Sequence, residues 1–520
     1  MGKVLVEKLL RHCPKLNRLY LIIRTKKGTD PSDRIKEFMN NALFKPLLEQ
    51  NQNAFDRVVI IPGDMSALKC GMSDDHIQLL EENVSVVFHS AASVRFDDSL
   101  SKALKLNVRG TYELLQIAKR MKKLEVFEYV STTYSNAHMT EMIEEKVYPS
   151  HQDYRILLKL IESGDDDALD LIVDKVINPQ PNTYTFSKSL AENIVSEASN
   201  ELPAVIVRPS VVIPVMESPV QGWTDNLNGV IGVTTGVSKG VLRVIKCMPD
   251  ASLAYIPVDR AINGLVAAAY AKRFNDEDVG LVVNEVYNHR VQLTFSQLVE
   301  NGIKVNEACP MENYIWYPFM ILTENTFLYH LLFFLLQIVP ALLLDLVLAL
   351  AGKKRILLKL NIKIYNAVIA LTQFTIRPFT FANQNFMKLQ SLLLPADGDA
   401  FFIDDEVRNK VDLVELMITF QGGVRRYVFN ESDDNVERNR KIHQRLYYID
   451  RVTRAALIGL AVWKIPQWVL EAYNIIDRAW MWTRQNVTGI WTNSHSVFSV
   501  SLQVNQPLLS ETLKLPTKYY

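Results

Sequence analysis

The sequence predicts an α/β protein: a doubly wound, Rossmann-like parallel sheet lacking its first strand, then a mainly helical C-terminal domain with apolar, membrane-associated segments. Three observations carry this reading. Through the first half, apolar strand-like runs alternate with helical patterns, the signature of a parallel sheet covered by helices. From about Asp276 the alternation fades. A long apolar run at 327–351 follows, and then a helical-looking stretch at 356–450 with Arg and Lys scattered through it.

In chain order, 4–12 reads as an amphipathic helix and 18–23 as a strand, followed by strands at 57–61 and 84–88. Residues 100–120 are a helix, 124–130 a strand, 184–198 a helix and 204–207 a strand. Between Asn136 and Asn178 an acidic stretch with Asp165, Asp166 and Asp167 reads as an irregular, solvated insertion. The division expected is a cofactor-binding and substrate-binding part at 1–275, a connection at 276–326, the apolar segment and the helical region. A second apolar segment at 455–470 and a polar tail at 481–520 complete it.

The apolar run is long enough to cross a bilayer, which takes about 20 mainly apolar residues. Pro340 and Asp345 interrupt it, so a buried helical hairpin is the competing reading. Lys353, Lys354 and Arg355 close it and would lie on the cytoplasmic side. The 455–470 segment, broken by Lys464 and Pro466, suits an interfacial position better. With 57 basic and 57 acidic residues, nothing points to a nucleic-acid partner. Cys13, Cys70, Cys247 and Cys309 are too widely spaced for a zinc pattern or a redox pair, which suits a reducing compartment.

The chemistry centres on Tyr184 and Lys188. Four residues apart on a helix, they share a face, and a Lys ammonium beside a phenol is expected to lower its pKa. Such a Tyr can protonate a carbonyl oxygen as hydride reaches the carbon. Among twenty tyrosines about one such spacing arises by chance, so the surroundings must decide. Strand 124–130 ends in Ser131-Thr132-Thr133, hydroxyls at the end of a strand where open sheets bind ligands. Ala91 and Ala92 after strand 84–88 are small enough for close approach of a flat cofactor. Asn107 and Gly110 cost helix propensity, and Asn107 is suited to holding a water or orienting the Lys.

Strand 18–23 ends with Arg24-Thr25-Lys26-Lys27 and no acid, which favours the ribose phosphate of NADP over the free hydroxyl of NAD. Asp64, before Met65, is placed to accept from the adenine amino group. The glycine loop that should hold the pyrophosphate is not in the sequence. Also absent are a Gly-x-Ser-x-Gly elbow, a Walker loop and a His-Glu-x-x-His motif, which argues against hydrolases and nucleotide triphosphatases.

Taken together, these residues resemble the extended short-chain dehydrogenase/reductases and, within them, the alcohol-forming fatty acyl-CoA reductases. The resemblance covers residues 2 to about 470. It includes Gly2-Lys3-Val4, Leu21-Ile22-Ile23-Arg24, Phe88-His89-Ser90-Ala91-Ala92, Tyr184-Thr185-Phe186-Ser187-Lys188 and Arg208-Pro209-Ser210. Gly222-Trp223-Thr224 and Gly422-Gly423-Val424-Arg425-Arg426 continue it. It implies NADPH-dependent reduction of a long-chain acyl-CoA to a primary alcohol at a membrane. The catalytic part would face the cytosol, on the peroxisome or the endoplasmic reticulum. Tyr184 is then the proton donor, Lys188 its activator and ribose ligand, and Thr132 the hydroxyl partner, with Ser131 as alternate. Gly2 stands as the last glycine of the cofactor motif, and Met65 and Pro209 join the cofactor set. The family has a strand before this point, so a truncated gene model or alternative start with weak NADPH binding is expected. A hydroxysteroid-type dehydrogenase and a catalytically impaired membrane protein are the alternatives.

Overall fold

The computed structural model describes residues 1–24, 31–164, 166–274, 280–287, 293–403 and 412–492. Residues 1–447 make one compact unit and 448–520 a second.

The strands fall within a residue or two of expectation: β1 Leu19–Ile23, β2 Val58–Pro62, β3 Val86–His89, β4 Val126–Val130 and β5 Ala204–Pro209. Short strands β6 Val211–Ile213, β7 Val244–Lys246 and β8 Tyr255–Pro257 follow, then β9 Val282–Glu285 and β10 Ile321–Thr323. The main sheet is parallel, in the order β3-β4-β5-β9. Because β9 belongs to it, the sheet extends past the expected boundary at 275. A parallel β1-β2 pair stands apart, and among the described residues β1 and β3 share no hydrogen bonds. Two further parallel pairs, β6-β8 and β7-β10, lie beyond.

Side-chain alternation divides the core between the faces of the sheet. Phe127 and Tyr129 of β4 pack on one face with Leu104, Val108, Phe186 and Leu190, from the helices at 100–118 and Thr183–Ala198. Val126 and Val130 pack on the other with Leu5, Leu9, Ile262 and Leu265, from the helices Gly2–His12 and Val258–Phe274.

Two expectations change here. The acidic stretch is helical from Tyr154 on, over Tyr154–Glu162, Asp166–Leu171 and Val173–Ile177, and Tyr154, Leu157, Leu158, Ile161 and Leu169 join the first core. Asp166 is neutralised from a distant part of the chain, as Lys105 and the Ser101 hydroxyl both donate to it. The helix Gly2–His12 is not amphipathic in its setting, since Val4 to Leu10 are all buried. Arg11 pairs with Glu7 at 2.9 Å, while Lys8 donates to the Ala400 carbonyl and lies over the Phe401 ring. A segment four hundred residues away covers the polar stripe.

The C-terminal helices complete the first unit. Gly222 has φ +75°, and a Cβ added at Gly423 would stand 1.6 Å from the Gly222 carbonyl oxygen. The two glycine-bearing runs singled out in the sequence therefore meet backbone to backbone, which only glycine permits. The second unit is helical as far as Thr492 and carries exposed Leu457, Ile458, Val462, Trp463 and Leu470, matching the second apolar segment. Of the expected polar tail, 481–492 is helical and the remainder lies outside the described residues.

Candidate active site

Asn182 opens the tyrosine helix, Thr183–Ala198, by accepting the Thr185 amide at 2.9 Å, and so fixes where the helix starts. Tyr184 follows two residues later, half-buried, with its phenol hydrogen-bonded to Thr132. Burial raises the phenol pKa to about 12, against the Thr132 hydrogen bond, which lowers it. The group is therefore a protonated donor at neutral pH.

Lys188 departs from expectation. Its Nζ donates to the Val130 carbonyl at 2.7 Å and the Tyr129 hydroxyl at 3.3 Å, and it lies 4.6 Å from the Tyr129 ring centroid. It turns toward the end of β4 rather than to the Tyr184 phenol, which stands high in pKa instead of low. A buried amine takes the nearest acceptor, here a strand carbonyl. Burial brings the Lys188 pKa down to about 7, with Glu192 pulling it back up. An ammonium has three donors, and two are engaged.

Ser131 and Thr132 separate in role. Ser131 Oγ donates to Glu192 Oε1 at 2.5 Å, and Arg208 donates to both oxygens of Glu192 from Nε at 2.8 Å and Nη2 at 2.6 Å. Thr132 caps the turn Thr133–Asn136 and is the one that meets Tyr184.

Asn107 sits in a π-helical turn, Leu104–Arg109. Its Oδ1 accepts the Ser93 amide at 2.8 Å, and its Nδ2 donates to Ser187 Oγ at 2.9 Å and the Ser93 carbonyl at 3.2 Å. The amide ties the loop after β3 to the tyrosine helix rather than reaching Lys188 or a water. Gly110 has its reason too: a Cβ there would stand 2.5 Å from the Met65 carbonyl oxygen. The Met65 side chain is packed in the core rather than turned to a ligand. Pro209 is buried at the end of β5. Ala91 and Arg24 are exposed, Ala92 is half-buried, and Lys27 lies outside the described residues.

Sequence reasoning missed the aromatic wall beside the tyrosine. Phe96 lies 5.6 Å from Tyr184 and 5.2 Å from Phe374, between ring centroids. Tyr134 then contacts Phe374, Phe379 and Phe381 at 5.2–5.4 Å. No local pattern marks Phe374, which comes from the end of the helix Leu357–Thr375. Glu192 and Arg208 carried a fainter signal: each is a charge within an otherwise buried run.

The family model described as "Male sterility protein", an NAD-binding domain, matches residues 1–265, and a second model of that description matches 336–431. "Fatty acyl-CoA reductase wat" of Drosophila melanogaster is 34% identical over 464 residues, 89% of each chain. "Fatty acyl-CoA reductase 1" of Homo sapiens is 32% identical over 465 residues, again 89% of each. The chain belongs to the fatty acyl-CoA reductase family. The fold of this reductase is also that of the terminal R domain of the myxalamid biosynthetic pathway. There the TM-score is 0.53 at 19% identity, over 83% of this chain and 90% of the other.

The reductase's residues fit a nicotinamide dinucleotide. Gly2 opens the first helix, and a Cβ there would meet nothing within 4 Å, which leaves room for close approach of a ligand at that residue. Asp64 Oδ1 takes the Ser66 amide and hydroxyl at 2.9 and 2.7 Å, which leaves Oδ2 for an outside donor. Lys188 keeps a third N–H.

Proposed function

We propose that this reductase converts a long-chain fatty acyl-CoA to the primary alcohol with release of CoA, using two equivalents of NADPH. The observation that carries the choice of substrate is the aromatic wall. Phe374, on a helix of the apolar region, touches Phe96, which touches the proton donor Tyr184. An apolar chain therefore has a lined approach to the reacting carbon.

Bound NADPH would supply hydride to the thioester carbon, and in a second round to the aldehyde. Tyr184 gives its phenolic proton to the carbonyl oxygen, which Thr132 holds. After the first round the hemithioacetal hydroxyl returns a proton to Tyr184 as the carbon–sulfur bond breaks, and the departing thiolate takes a proton from solvent. Lys188, held by the Val130 carbonyl and the Tyr129 hydroxyl, would offer its third N–H to the nicotinamide ribose. Arg24, at the end of β1, suits the phosphate that distinguishes NADPH. Gly2, Asp64, Ala91 and Ala92 line the remainder. The reductase works on the cytosolic side of a membrane, peroxisomal or endoplasmic reticulum. Its four free cysteines suit that side.

The test is to incubate membranes bearing the chain with NADPH and acyl-CoAs of several lengths, following fatty alcohol by mass spectrometry. Tyr184→Phe serves as control, and a version with a strand and glycine turn added ahead of Met1 as a second arm. Alcohol that depends on Tyr184 in either arm is the expected result; none in both overturns the proposal.

A further inference from the structure

The helices Thr326–Leu350 and Leu357–Thr375 leave the body and return to it at one place, the end of β7. Lys246 donates to Thr326 Oγ1 at 2.7 Å, and Thr375 Oγ1 donates to the Lys246 carbonyl at 2.8 Å. Between them the chain runs outward, turns over 351–356 and comes back.

One stripe of the outgoing helix is buried, at four-residue spacing: Tyr329, Phe333, Gln337, Ala341 and Asp345. Gln337 and Asp345 have their hydrogen-bonding partners within the protein. Gln337 Oε1 accepts the Arg243 amide at 3.0 Å, and its Nε2 donates to Asn361 at 3.2 Å. Asp345 accepts the amides of Ile356, Leu357 and Leu358 at 2.9–3.1 Å and so caps the returning helix. The two helices are thus one folded hairpin.

Its outer face is apolar and open. In the most apolar 18-residue window of Thr326–Leu350 only 22% is buried, and Leu343, Leu346, Val347 and Leu350 are 58–82% exposed. The flank is basic. From Asn325 to Phe381 the only acid is the capping Asp345, against Lys353, Lys354, Arg355, Lys359, Lys363 and Arg377, in a chain whose charges otherwise balance. Among the described residues, none of Lys353, Lys354, Lys359 and Lys363 has an ion-pair partner within 4 Å. An apolar face with an unpaired basic rim is complementary to an anionic bilayer surface.

Crossing the bilayer fits poorly. Tyr329 and Phe333 pack on Leu242, Val244 and Ile245, so the first two turns belong to the body. The sixteen or so residues left before the turn reach about 24 Å, short of a hydrocarbon core of about 30 Å. A crossing would also draw Lys359 and Lys363 into the hydrocarbon.

We infer that the hairpin Thr326–Thr375 lies in the plane of an anionic bilayer surface, its outgoing helix among the acyl chains and its Lys and Arg residues on the headgroup phosphates. The returning helix ends on Phe374, and so leads from the bilayer to Phe96 and Tyr184. That last step rests on the acyl-CoA reading above; the docking does not.

The test uses the full chain with Cys13→Ser and Leu346→Cys, labelled with an environment-sensitive dye, and vesicles of phosphatidylcholine with or without phosphatidylserine. No acyl-CoA or NADPH is present. The expected result is a blue shift on the anionic vesicles, quenched more by spin labels high on the lipid chains than by labels at the bilayer centre. Replacing Lys353, Lys354 and Arg355 by Gln should weaken partitioning on the order of a hundredfold, at roughly fivefold per cation. An unchanged dye on a chain that floats with the vesicles overturns the inference, as does binding indifferent to phosphatidylserine. Quenching strongest at the bilayer centre shows a crossing and overturns it too. Turnover of a water-soluble short acyl-CoA is measured separately. A silent dye with turnover defeats the docking alone, and a responsive dye without turnover defeats the substrate reading alone.

Discussion

Replacing Glu192 by Gln tests whether the tyrosine helix is fixed by a buried ion pair. The side chains of Arg208 and Glu192 are 0% and 1% exposed, and two guanidinium N–H groups reach the carboxylate at 2.6 and 2.8 Å. Breaking such a pair from one side costs about 3–5 kcal/mol, because the remaining charge stays buried without its partner. Gln keeps one acceptor, and Arg208 still donates to the carbonyls of Glu144 and Lys146 at 3.2 and 2.9 Å. The loss should therefore fall at the lower end, about 3 kcal/mol, or roughly a hundredfold in the unfolding equilibrium. Urea unfolding of the full chain, followed by tryptophan fluorescence, measures it. The paired variant Glu192→Leu with Arg208→Met should lose less than either single change, since apolar replacement of a whole buried pair is often neutral. Glu192→Gln also frees Ser131 and loosens the register of Tyr184, so kcat should fall more than KM rises. A loss below about 1 kcal/mol, the range of a solvated surface pair, would refute the reasoning.

Three further outcomes are expected. Tyr184→Phe should lower alcohol formation by about a hundredfold or more while circular dichroism is unchanged, because only the proton donor is lost. Lys188 has a folded pKa near 7 against 10.5 when exposed, so between those values the unfolded chain holds more protons. Its contribution to stability should therefore grow as pH rises from 7 toward 10, and comparing wild type with Lys188→Met by thermal melts at each pH isolates it. A slope difference of opposite sign would contradict the burial. Gly423→Ala should cost more than about 3 kcal/mol, since the new methyl meets a backbone oxygen that cannot swing aside; a melting temperature equal to wild type would disprove the contact.

Much of this is legible in the sequence. β1 to β5 were readable because each is a short apolar run bounded by polar residues, and the Tyr184 and Lys188 spacing placed both on one helix. Other features were hidden for physical reasons. The acids at 165–167 masked the helical spacing of Tyr154, Leu157, Leu158 and Ile161, because charge that is neutralised at a distance looks solvated in sequence. Ser131 and Thr132 are chemically alike, and only Glu192, sixty residues on, separates them. Lys188 seemed paired with Tyr184 by spacing, yet a carbonyl at the end of β4 is the nearer acceptor. Phe374 meets Phe96, which in turn meets Tyr184, across distant parts of the chain, and no local pattern encodes such contacts.

The divided sheet has a practical consequence for handling the protein. Among the described residues β1 and β3 each have a partner strand on one side only, and neither Leu19–Ile23 nor Val86–His89 contains the proline or lysine that would discourage pairing on the other. Val86 is 38% exposed at the start of β3. A second molecule is the readiest source of a complementary strand, so self-association should rise steeply with concentration. Specific activity should then be compared across dilutions before any loss of turnover is credited to a substitution.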